Sequence, residues 1–361
     1  MHQRVSAAVS SHADRRDRLR VRLAEAGLGG LLVTDLTNVR YLTGFTGSFG
    51  SLLVTTDSAT LASDGRYTAQ AAAQTLGVEL LTNPDPTWLR ERLDEPRLGL
   101  ESHAITWDAA RELTDRLPDR EVVAAPGHVE ALRVVKDAEE VAALRRACAL
   151  ADDALATLLH RIEPGMSELA VGRQLDRTMV DLGAADRSFE TIVASGPNSA
   201  VPHHPPTDRA LQSGDLVKLD FGALVDGYHS DMTRMLALGD PGAVLHSVFD
   251  LVRAAQQAGV DRVRDGVTTG EVDAACRDVI AQGGHAERFT HGTGHGIGLE
   301  IHEEPYLRQE TSTTLRCAMT VTVEPGVYVP GLGGVRIEDS LVVTSDGHEL
   351  LTRSPKDLVV L

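Results

Sequence analysis

The residues best suited to chemistry in this sequence are carboxylates on strand-like segments. Residues 215–238 alternate apolar and polar side chains around Asp226-Gly227, a dipeptide that favours a two-residue β-hairpin. With that turn, Asp220 faces Thr233, and Asp220 and Asp231 lie diagonally on one face. Two desolvated carboxylates on one face repel each other unless a cation lies between them. The pair therefore predicts a cation site, with two exposed aspartates on a solvated sheet face as the alternative.

A second pair of carboxylates follows near the C-terminal end of the chain. Residues 320–324 and 335–343 are predicted to be two strands joined by a glycine-rich turn, which would bring Glu324 and Glu338 together. Arg336 lies two residues before Glu338 and shares its face. For this hairpin alone, an exposed edge with a salt bridge explains the pattern equally well.

Residues 291–302 place His291, His295 and His302 among closely spaced glycines. The glycines disfavour a zincin-type helix, no HExxH is present, and no lysine follows them as in a phosphate loop. Glycine lets the backbone pass close to a ligand, so this segment is predicted to form a wall of the site. A further pair, His203-His204, lies in a proline-rich loop.

Four carboxylates and a histidine form a hard, oxygen-rich donor set. Such a set suits Mn²⁺, Co²⁺ or Fe²⁺, with Zn²⁺ possible, and disfavours copper or iron–sulfur chemistry. Two divalent ions held close together would clamp and activate a bridging water for hydrolysis.

The elements that must position these residues fall into two domains. Residues 1–127 alternate strand-like and helix-like segments and are predicted to be an α/β domain, and residues 128–361 form the second domain. Within the second domain, a helix pair at 137–182 and another at 243–281 each precede a strand region with a turn. This helix–helix–strand–strand unit, used twice, predicts a pseudo-two-fold domain with a site between its halves.

Composition excludes several classes of protein. The chain has 361 residues with 35 Lys and Arg against 52 Asp and Glu, a formal net charge of −17 that argues against nucleic-acid binding. Its three cysteines form no CxxC pair, the N-terminal residues contain no apolar secretory core, and no apolar run is long enough for a membrane span. We therefore expect a cytoplasmic protein without membrane or nucleic-acid partners.

Five motifs, in order, resemble those of the pita-bread metallopeptidases, the family of methionine aminopeptidase, aminopeptidase P and prolidase. They are LDFGA (219–223), SDMTR (230–234), HGTGHGIGLEIHE (291–303), VEPGVY (323–328) and GVRIED (334–339). The resemblance spans about residues 130–361, and residues 38–45 resemble the N-terminal domain of bacterial Xaa-Pro peptidases. It implies an α/β N-terminal domain of the creatinase/prolidase type followed by an α+β pita-bread domain.

The resemblance implies five metal ligands: Asp220, Asp231, His295, Glu324 and Glu338. Asp231 and Glu338 would bridge both ions, and Asp220 would bind one of them. His295 and Glu324 would bind the other ion. Glu324 would also act as the general base for the bridging water.

The resemblance also implies which residues contact the substrate. His203, His291 and His302 would contact substrate and the tetrahedral intermediate, and His291 or His302 would stabilise the oxyanion. Arg336 would help to anchor the peptide. The family usually has one histidine after the proline, whereas two follow Pro202 here, so His204 is a rival to His203.

The activity implied is that of an Xaa-Pro aminopeptidase with two divalent ions, of which Mn²⁺ is the first choice and Co²⁺, Zn²⁺ or Fe²⁺ are alternatives. Its substrates would be peptides with proline in second position, and its assembly a homodimer. Xaa-Pro dipeptidase, or prolidase, is the alternative, because it shares every ligand named here. Methionine aminopeptidases generally lack such an N-terminal domain, and creatinase-like or binding-only relatives lose the ligand carboxylates, so both fit less well.

Overall fold

The computed structural model describes the backbone of residues 2–85 and 87–361, and the side chains of these residues from residue 12 onward. The chain forms two compact units, Met1–Arg133 and Val134–Leu361. Arg133 closes the first unit by donating from Nη1 to Asn38 Oδ1 at 2.9 Å. A domain border between residues 127 and 128 stays a prediction from the sequence.

The first unit is a mixed sheet with helices, which agrees with the α/β character predicted for it. Its helices are α1 (His2–Glu25), α2 (Leu36–Thr43), α3 (Thr68–Gln74), α4 (Trp88–Arg92), α5 (Trp107–Arg116) and α6 (Glu130–Arg133). Its strands are β1 (Gly30–Val33), β2 (Ser51–Thr55), β3 (Ala59–Ser63), β4 (Glu79–Thr82), β5 (Arg97–Leu100) and β6 (Glu121–Ala124). The sheet order is β4-β3-β2-β1-β5-β6, with β1–β2 and β2–β3 antiparallel and the other pairs parallel.

The first half of the second unit packs two helices on a small sheet. Its helices are α7 (Ala138–Leu159) and α8 (Glu168–Asp181), with a 3₁₀ turn at Gly196–Ala200. Its strands are β7 (Asp186–Arg187), β8 (Ile192–Ser195), β9 (Leu216–Phe221), β10 (Ala223–Val225), β11 (Tyr228–His229) and β12 (Met232–Ala237). Helix α7 begins at the predicted capping box, in which the Asp137 side chain and Glu140 satisfy each other's backbone N–H groups.

The second half repeats this plan. Its helices are α9 (Ala243–Arg262) and α10 (Thr269–Gln282), with a 3₁₀ turn at Ala286–Arg288. Its strands are β13 (Gly294–Gly296), β14 (Glu303–Leu307), β15 (Thr320–Val323), β16 (Gly326–Val329), β17 (Gly333–Arg336), β18 (Asp339–Thr344) and β19 (Gly347–Leu350). The last strand, β20 (Val359–Val360), returns to the first half and pairs with β12.

Each half has its own apolar core. Val171 of α8 and Leu219 of β9 belong to the cluster of the first half, and Val252 of α9 and Val321 of β15 belong to that of the second half. The sheet order is β20-β12-β9-β8 in the first half and β14-β13-β15-β18-β19 in the second. The predicted repetition of a helix–helix–strand–strand unit is therefore confirmed.

The prediction for residues 320–343 is wrong in one respect. The sequence suggested one continuous strand at 335–343, hairpin-paired with 320–324. Instead, β15 pairs with β18, and the glycine-rich turn joins β16 to β17 in a ribbon of its own. Pro325 and residues 337–338 interrupt the strands, since proline cannot donate to a ladder and the chain must change sheets at both points. Glu324 and Glu338 lie at these two breaks.

The cysteines carry no disulfide: Cys148 and Cys276 are buried and Cys317 is exposed. Burial raises the pKa of the Cys276 thiol to about 12, which is typical of an inert core cysteine. Among residues 2–85 and 87–361, no helix has both the length and the apolar character that crossing a bilayer requires.

Candidate metal centre

Asp220 and Asp231 occupy the first half of the second unit. Asp220 lies on β9 opposite Thr233 on β12, so the register predicted from the Asp226-Gly227 turn is confirmed. Asp231 immediately precedes β12. Both aspartates are buried, with 7% and 5% of their surface exposed, and this excludes the alternative of a solvated pair.

Glu324 and Glu338 come from the second half. Val323 of β15 pairs with Asp339 of β18, and the two strands are antiparallel. The residue after Val323 and the residue before Asp339 therefore leave the same end of this strand pair. This geometry brings Glu324 and Glu338 together, as the sequence predicted, although by a different pairing of strands.

His295 joins the two carboxylate pairs. Its Nε2 lies 3.5 Å from Asp231 Oδ2 and 3.4 Å from Glu324 Oε1. Its Nδ1 lies 3.0 Å from the carbonyl oxygen of Gly296, which fixes the proton on Nδ1. The lone pair of Nε2 consequently faces the carboxylates, which is the orientation of a metal-binding histidine.

The glycines around His295 allow β13 to lie against its neighbours. A Cβ on Gly294 would lie 2.0 Å from the carbonyl oxygen of Thr322, and one on Gly296 would lie 2.2 Å from that of Glu304. No side chain fits at such distances, so the glycines on both sides of His295 are required by packing.

The carboxylates are crowded enough to perturb one another. Burial raises the pKa of Asp231, and the charges of Asp220 and Glu324 raise it further. Burial also raises the pKa of Glu338, with Asp231 as the next cause, and burial raises the pKa of Glu324. Four carboxyl groups thus lie close together with little of their surface exposed, and the arrangement favours a cation among them.

Arg336 lies beside this cluster and is 1% exposed. Its Nη2 donates to Asp220, and its Nε donates to Thr233 Oγ1 at 3.0 Å. Its Nη1 donates to the carbonyl of Pro202 and to the Tyr328 hydroxyl, both at 3.1 Å. Its contacts are thus with the protein, and its predicted role as a peptide anchor stays a prediction.

The cleft beside the carboxylates has a volume of about 500 Å³. His203, His291 and His302 line it together with all five predicted metal ligands. Of the two histidines after Pro202, His203 lines the cleft, whereas His204 is not among the described lining residues. The structure thus places every site residue predicted from the sequence in the lining of the cleft except Arg336, which is buried and donates to Asp220.

His291 is bound on both ring nitrogens. Its Nδ1 lies 2.8 Å from the Gly292 carbonyl, and its Nε2 lies 2.9 Å from the Tyr328 hydroxyl. A carbonyl accepts only, so Nδ1 carries the proton and the tyrosine donates to Nε2. Burial and the nearby Arg336 lower the pKa of His291 to about 3, which keeps the ring neutral.

Comparison with known proteins decides the family. A sequence model of metallopeptidase family M24 matches residues 142–345, and one of the creatinase/prolidase N-terminal domain matches residues 15–135. The chain belongs to metallopeptidase family M24. Its pita-bread fold class, with a creatinase/prolidase-type first domain, is thereby established as well.

Relatives within family M24 cover nearly the whole chain. An uncharacterized peptidase of Bacillus subtilis, YqhT, is 42% identical over 96% of this chain and 99% of its own. A solved Xaa-Pro dipeptidase from Bacillus anthracis is 41% identical, covers 97% of this chain and 100% of its own, and has a TM-score of 0.94. An X-Pro aminopeptidase from Thermotoga maritima is 32% identical, covers 93% and 98%, and has a TM-score of 0.88.

The site of this M24 member fits divalent metal ions. Asp231, His295 and Glu338 each offer a ligand atom, and these atoms lie within 4.8 Å of one another. Among the residues that the structure describes, Glu338 Oε1 is buried without a hydrogen-bond partner. A buried carboxylate oxygen in that state is costly unless a cation binds it, so the donor set agrees with the metal dependence of the family.

A second carboxylate and histidine group lies in the first unit, at Glu101, His103 and Glu130. Its Glu101 carboxylate is already committed to hydrogen bonds within the first unit, and His103 Nε2 lies 2.9 Å from Glu130 Oε1. Glu101 accepts from the backbone N–H groups of Thr34 and Asp35 at 2.7 and 2.8 Å and from Asn38 Nδ2 at 2.7 Å. Glu101 therefore fixes the start of α2 and is a structural residue.

Three further residues lie at the M24 site and were not predicted from the sequence. Tyr306 and Arg308 line the cleft, and Tyr328 links His291 to Arg336. Tyr306 and Arg308 are two positions apart at the end of β14, so strand alternation directly after the histidine-rich motif could have placed them on one face. Tyr328 is the last residue of VEPGVY and could have been found from its motif.

Proposed function

We propose that this M24 metallopeptidase is an Xaa-Pro dipeptidase that hydrolyses the bond between an N-terminal residue and proline. The relative with a TM-score of 0.94 is an Xaa-Pro dipeptidase, and this is the observation that supports the dipeptidase over the aminopeptidase expected from the sequence. The metals would be two divalent ions, Mn²⁺ first among them. Asp220, Asp231, His295, Glu324 and Glu338 would hold them.

A positively charged side chain in the lining of the cleft, that of Arg308, supports a substrate with a free carboxylate. Among the described residues that line the cleft, Arg308 is the one with a permanent positive charge. In a dipeptide the carboxylate follows the scissile bond by a single residue, whereas in longer peptides it lies farther away. A guanidinium binds a carboxylate through paired hydrogen bonds, so Arg308 would favour dipeptides.

The chemistry then follows from the positions of the side chains. Divalent ions, when bound, supply Lewis acidity that polarises a carbonyl and acidifies water. Glu324 would accept a proton from the attacking water while the oxygen of that water bonds to the scissile carbon. The same carboxyl group would give the proton to the proline nitrogen as the C–N bond breaks.

The oxyanion needs a hydrogen-bond donor on the cleft wall. His291 holds its one proton on Nδ1 toward Gly292 and accepts from Tyr328, so it has no N–H to offer in this arrangement. His302, whose pKa burial lowers to about 4, would be neutral and would keep one N–H. We propose His302 as the donor and His203 as a substrate contact.

Xaa-Pro aminopeptidase is the second candidate. A Thermotoga maritima X-Pro aminopeptidase has a TM-score of 0.88 to this chain. The cleft volume of about 500 Å³ lies in the range that holds a drug-sized molecule, so it leaves room for a residue after proline. Both candidates use the same metal ligands.

Substrate length separates the two candidates. Purified protein reconstituted with Mn²⁺, Co²⁺ or Zn²⁺ is given Ala-Pro, Ala-Pro-Phe and the amide Ala-Pro-NH₂. We expect cleavage of Ala-Pro and weak or no cleavage of the others, because both lack a carboxylate on proline. Preference for Ala-Pro-Phe would establish the aminopeptidase instead.

Assembly and location are also proposals. We infer a homodimer, as the resemblance of the motifs to the pita-bread family implies, and light scattering coupled to size-exclusion chromatography measures it directly. We infer a cytoplasmic location from the absence of a CxxC pair and the unpaired cysteines. Fractionation of cells that express the chain tests the second proposal.

A further inference from the structure

Lys218 lies on β9, two residues before Asp220, and its side chain is completely buried. Its Nζ donates to the carbonyl oxygens of Val201 at 2.7 Å, Pro202 at 2.9 Å and Ser199 at 3.3 Å. A lysine removed from water is costly unless its donors are used, and these carbonyls use them. The proposed reaction assigns no task to this residue.

Most of the contacts of Lys218 survive a change in its protonation. Burial and the nearby Arg336 lower its pKa to about 6. An ammonium group offers one N–H to each of the three carbonyls, and a neutral amine still offers two, enough for the closer carbonyls of Val201 and Pro202. The Nζ group also lies 5.3 Å from the centre of the Tyr328 ring, so the side chain is enclosed from more than one direction.

The two closer carbonyls that Lys218 binds belong to Val201 and Pro202, the residues directly before His203. Pro202 has a fixed φ angle, and its carbonyl also accepts from Arg336 Nη1 at 3.1 Å. The peptide plane that leads into His203 is therefore held by two buried side chains. Its orientation decides where the imidazole of His203 points in the cleft.

A different residue fixes the base of the same loop. Glu168 accepts from the backbone N–H of Ser195 at 2.7 Å, from the Thr207 hydroxyl at 2.6 Å and from Asn198 Nδ2 at 3.1 Å. These contacts hold the two ends of segment 195–207. The base is thus secured independently, and Lys218 acts on the middle of the segment.

We propose that Lys218 is a positioning residue that holds the backbone of Val201 and Pro202 so that His203 faces the substrate. The inference rests on the proposed function, which gives His203 a contact with substrate. Lys218 itself touches neither substrate nor metal, because its Nζ is buried against the loop. Its effect on catalysis passes through His203.

The test uses K218M, which keeps the apolar stem and removes the donors, with V217A as control. Val217 is its buried neighbour on β9 and packs in the core of the first half, so V217A weakens the same strand without touching the loop contacts. We expect K218M to lower kcat/KM for Ala-Pro by tenfold to about a hundredfold, since small misplacements cost this much. V217A should change it by less than about twofold, the scatter expected of independent sites.

A double-variant cycle with H203A identifies the route of the effect. If Lys218 acts through His203, adding K218M to H203A lowers kcat/KM by no more than about twofold. If the losses of K218M and H203A multiply, Lys218 does not act through His203 and the proposal is overturned. An unchanged kcat/KM in K218M overturns it as well.

Hydrogen exchange gives a readout that is independent of activity. K218M should exchange the amide of Val201, which donates to the Asn198 carbonyl at 3.1 Å, faster than wild type, and V217A should not. Unchanged exchange in K218M contradicts the proposal even if activity falls. If wild type cleaves no Xaa-Pro substrate, the proposed function fails while the exchange data still decide whether Lys218 holds the loop. Should K218M not fold, K218Q, which is too short to span these contacts, replaces it in every comparison.

Discussion

Thr233 donates a hydrogen bond of 2.8 Å to Glu338 Oε2, while Oε1 of the same carboxylate has no partner among the described residues. Thr233 also accepts from Arg336 Nε, so its hydroxyl orientation is fixed. Thr233 thus holds Oε2 of Glu338 in a hydrogen bond and leaves Oε1 for a cation. This relationship joins the two halves of the second unit, since Thr233 lies on β12 and Glu338 precedes β18.

Replacing Glu338 tests the metal centre. E338Q keeps the shape of the side chain and its contact with Thr233 but loses the charge, so we expect weaker metal binding. We also expect kcat/KM to fall by more than about a hundredfold, because replacing residues that only support a metal ligand already costs up to about that much. Metal content after dialysis and Ala-Pro hydrolysis measure both effects. D226N on the exposed hairpin turn is the control, because asparagine also tolerates the positive φ of 52° there. Full metal content in E338Q would contradict the assignment.

The metal-free protein should be destabilised at high pH by its own carboxylates. The raised pKa values of Asp231 and Glu338 mean that the folded state binds their protons more tightly than the unfolded state. The free energy of unfolding is then highest below the ordinary carboxyl pKa of about 4 and falls as pH rises through the raised values. We expect metal-stripped D231N to be more stable than metal-stripped wild type at about pH 8, with the difference shrinking as the pH approaches 4.

Denaturant unfolding of both stripped proteins across this pH range measures the difference. Added metal should make wild type the more stable of the two proteins, because the metal stabilises wild type by mass action and binds D231N weakly. If metal-free D231N is less stable than metal-free wild type at every pH, the negative charge of Asp231 does not destabilise the folded protein and the prediction is wrong.

Arg308 should set the preference for a free carboxylate. R308M removes the guanidinium from the cleft, so we expect kcat/KM for Ala-Pro to fall by about tenfold to a hundredfold, as for the loss of a hydrogen bond to a charged group. The low kcat/KM for Ala-Pro-NH₂ should stay unchanged, because this substrate has no carboxylate for Arg308 to bind. The matched control is R316M, since Arg316 is an exposed arginine outside the described lining of the cleft. Equal losses on both substrates would mean that Arg308 does not bind the carboxylate.

Gly294 is predicted to be irreplaceable beside His295. In G294A the new Cβ meets the Thr322 carbonyl, so β13 must move and carry His295 away from Asp231. We expect lower metal content together with a loss of stability of about 1–3 kcal/mol, as for overpacking. G172A in helix α8 is the control, where the nearest atom would lie 3.4 Å away and stability should rise by about 0.4–1 kcal/mol. Wild-type metal binding in G294A would refute the packing argument.

The sequence predicted those parts of the site that depend on local rules. The Asp226-Gly227 turn fixed the pairing of Asp220 with Thr233, because a two-residue turn leaves one register. The capping box at Asp137 marked the start of α7 for the same reason: its contacts lie within four residues. In the first unit, helix α2 is not evident from the sequence, although Asp35 caps its start and Gly44 follows its end. Its eight residues are too few to show a helical repeat of apolar positions.

The parts that were not predicted depend on contacts between distant segments. The partner of β15 is β18 and not the nearer β17, a choice made by the packing of whole sheets. Arg308 directly follows β14, and its place in the lining of the cleft also depends on how β14 packs in its sheet. The contacts of Arg336 with Asp220 and Pro202 join segments more than a hundred residues apart, which no local pattern reveals.

The central claim is that two divalent ions, held by the five ligands, cleave Xaa-Pro dipeptides. The most direct measurement strips the protein with a chelator, titrates Mn²⁺ back and follows both bound metal and Ala-Pro hydrolysis. The account predicts no hydrolysis without metal and activity that rises with metal to a plateau at two ions per chain. Hydrolysis by the stripped protein, or a fully loaded protein that does not cleave Ala-Pro, would contradict it.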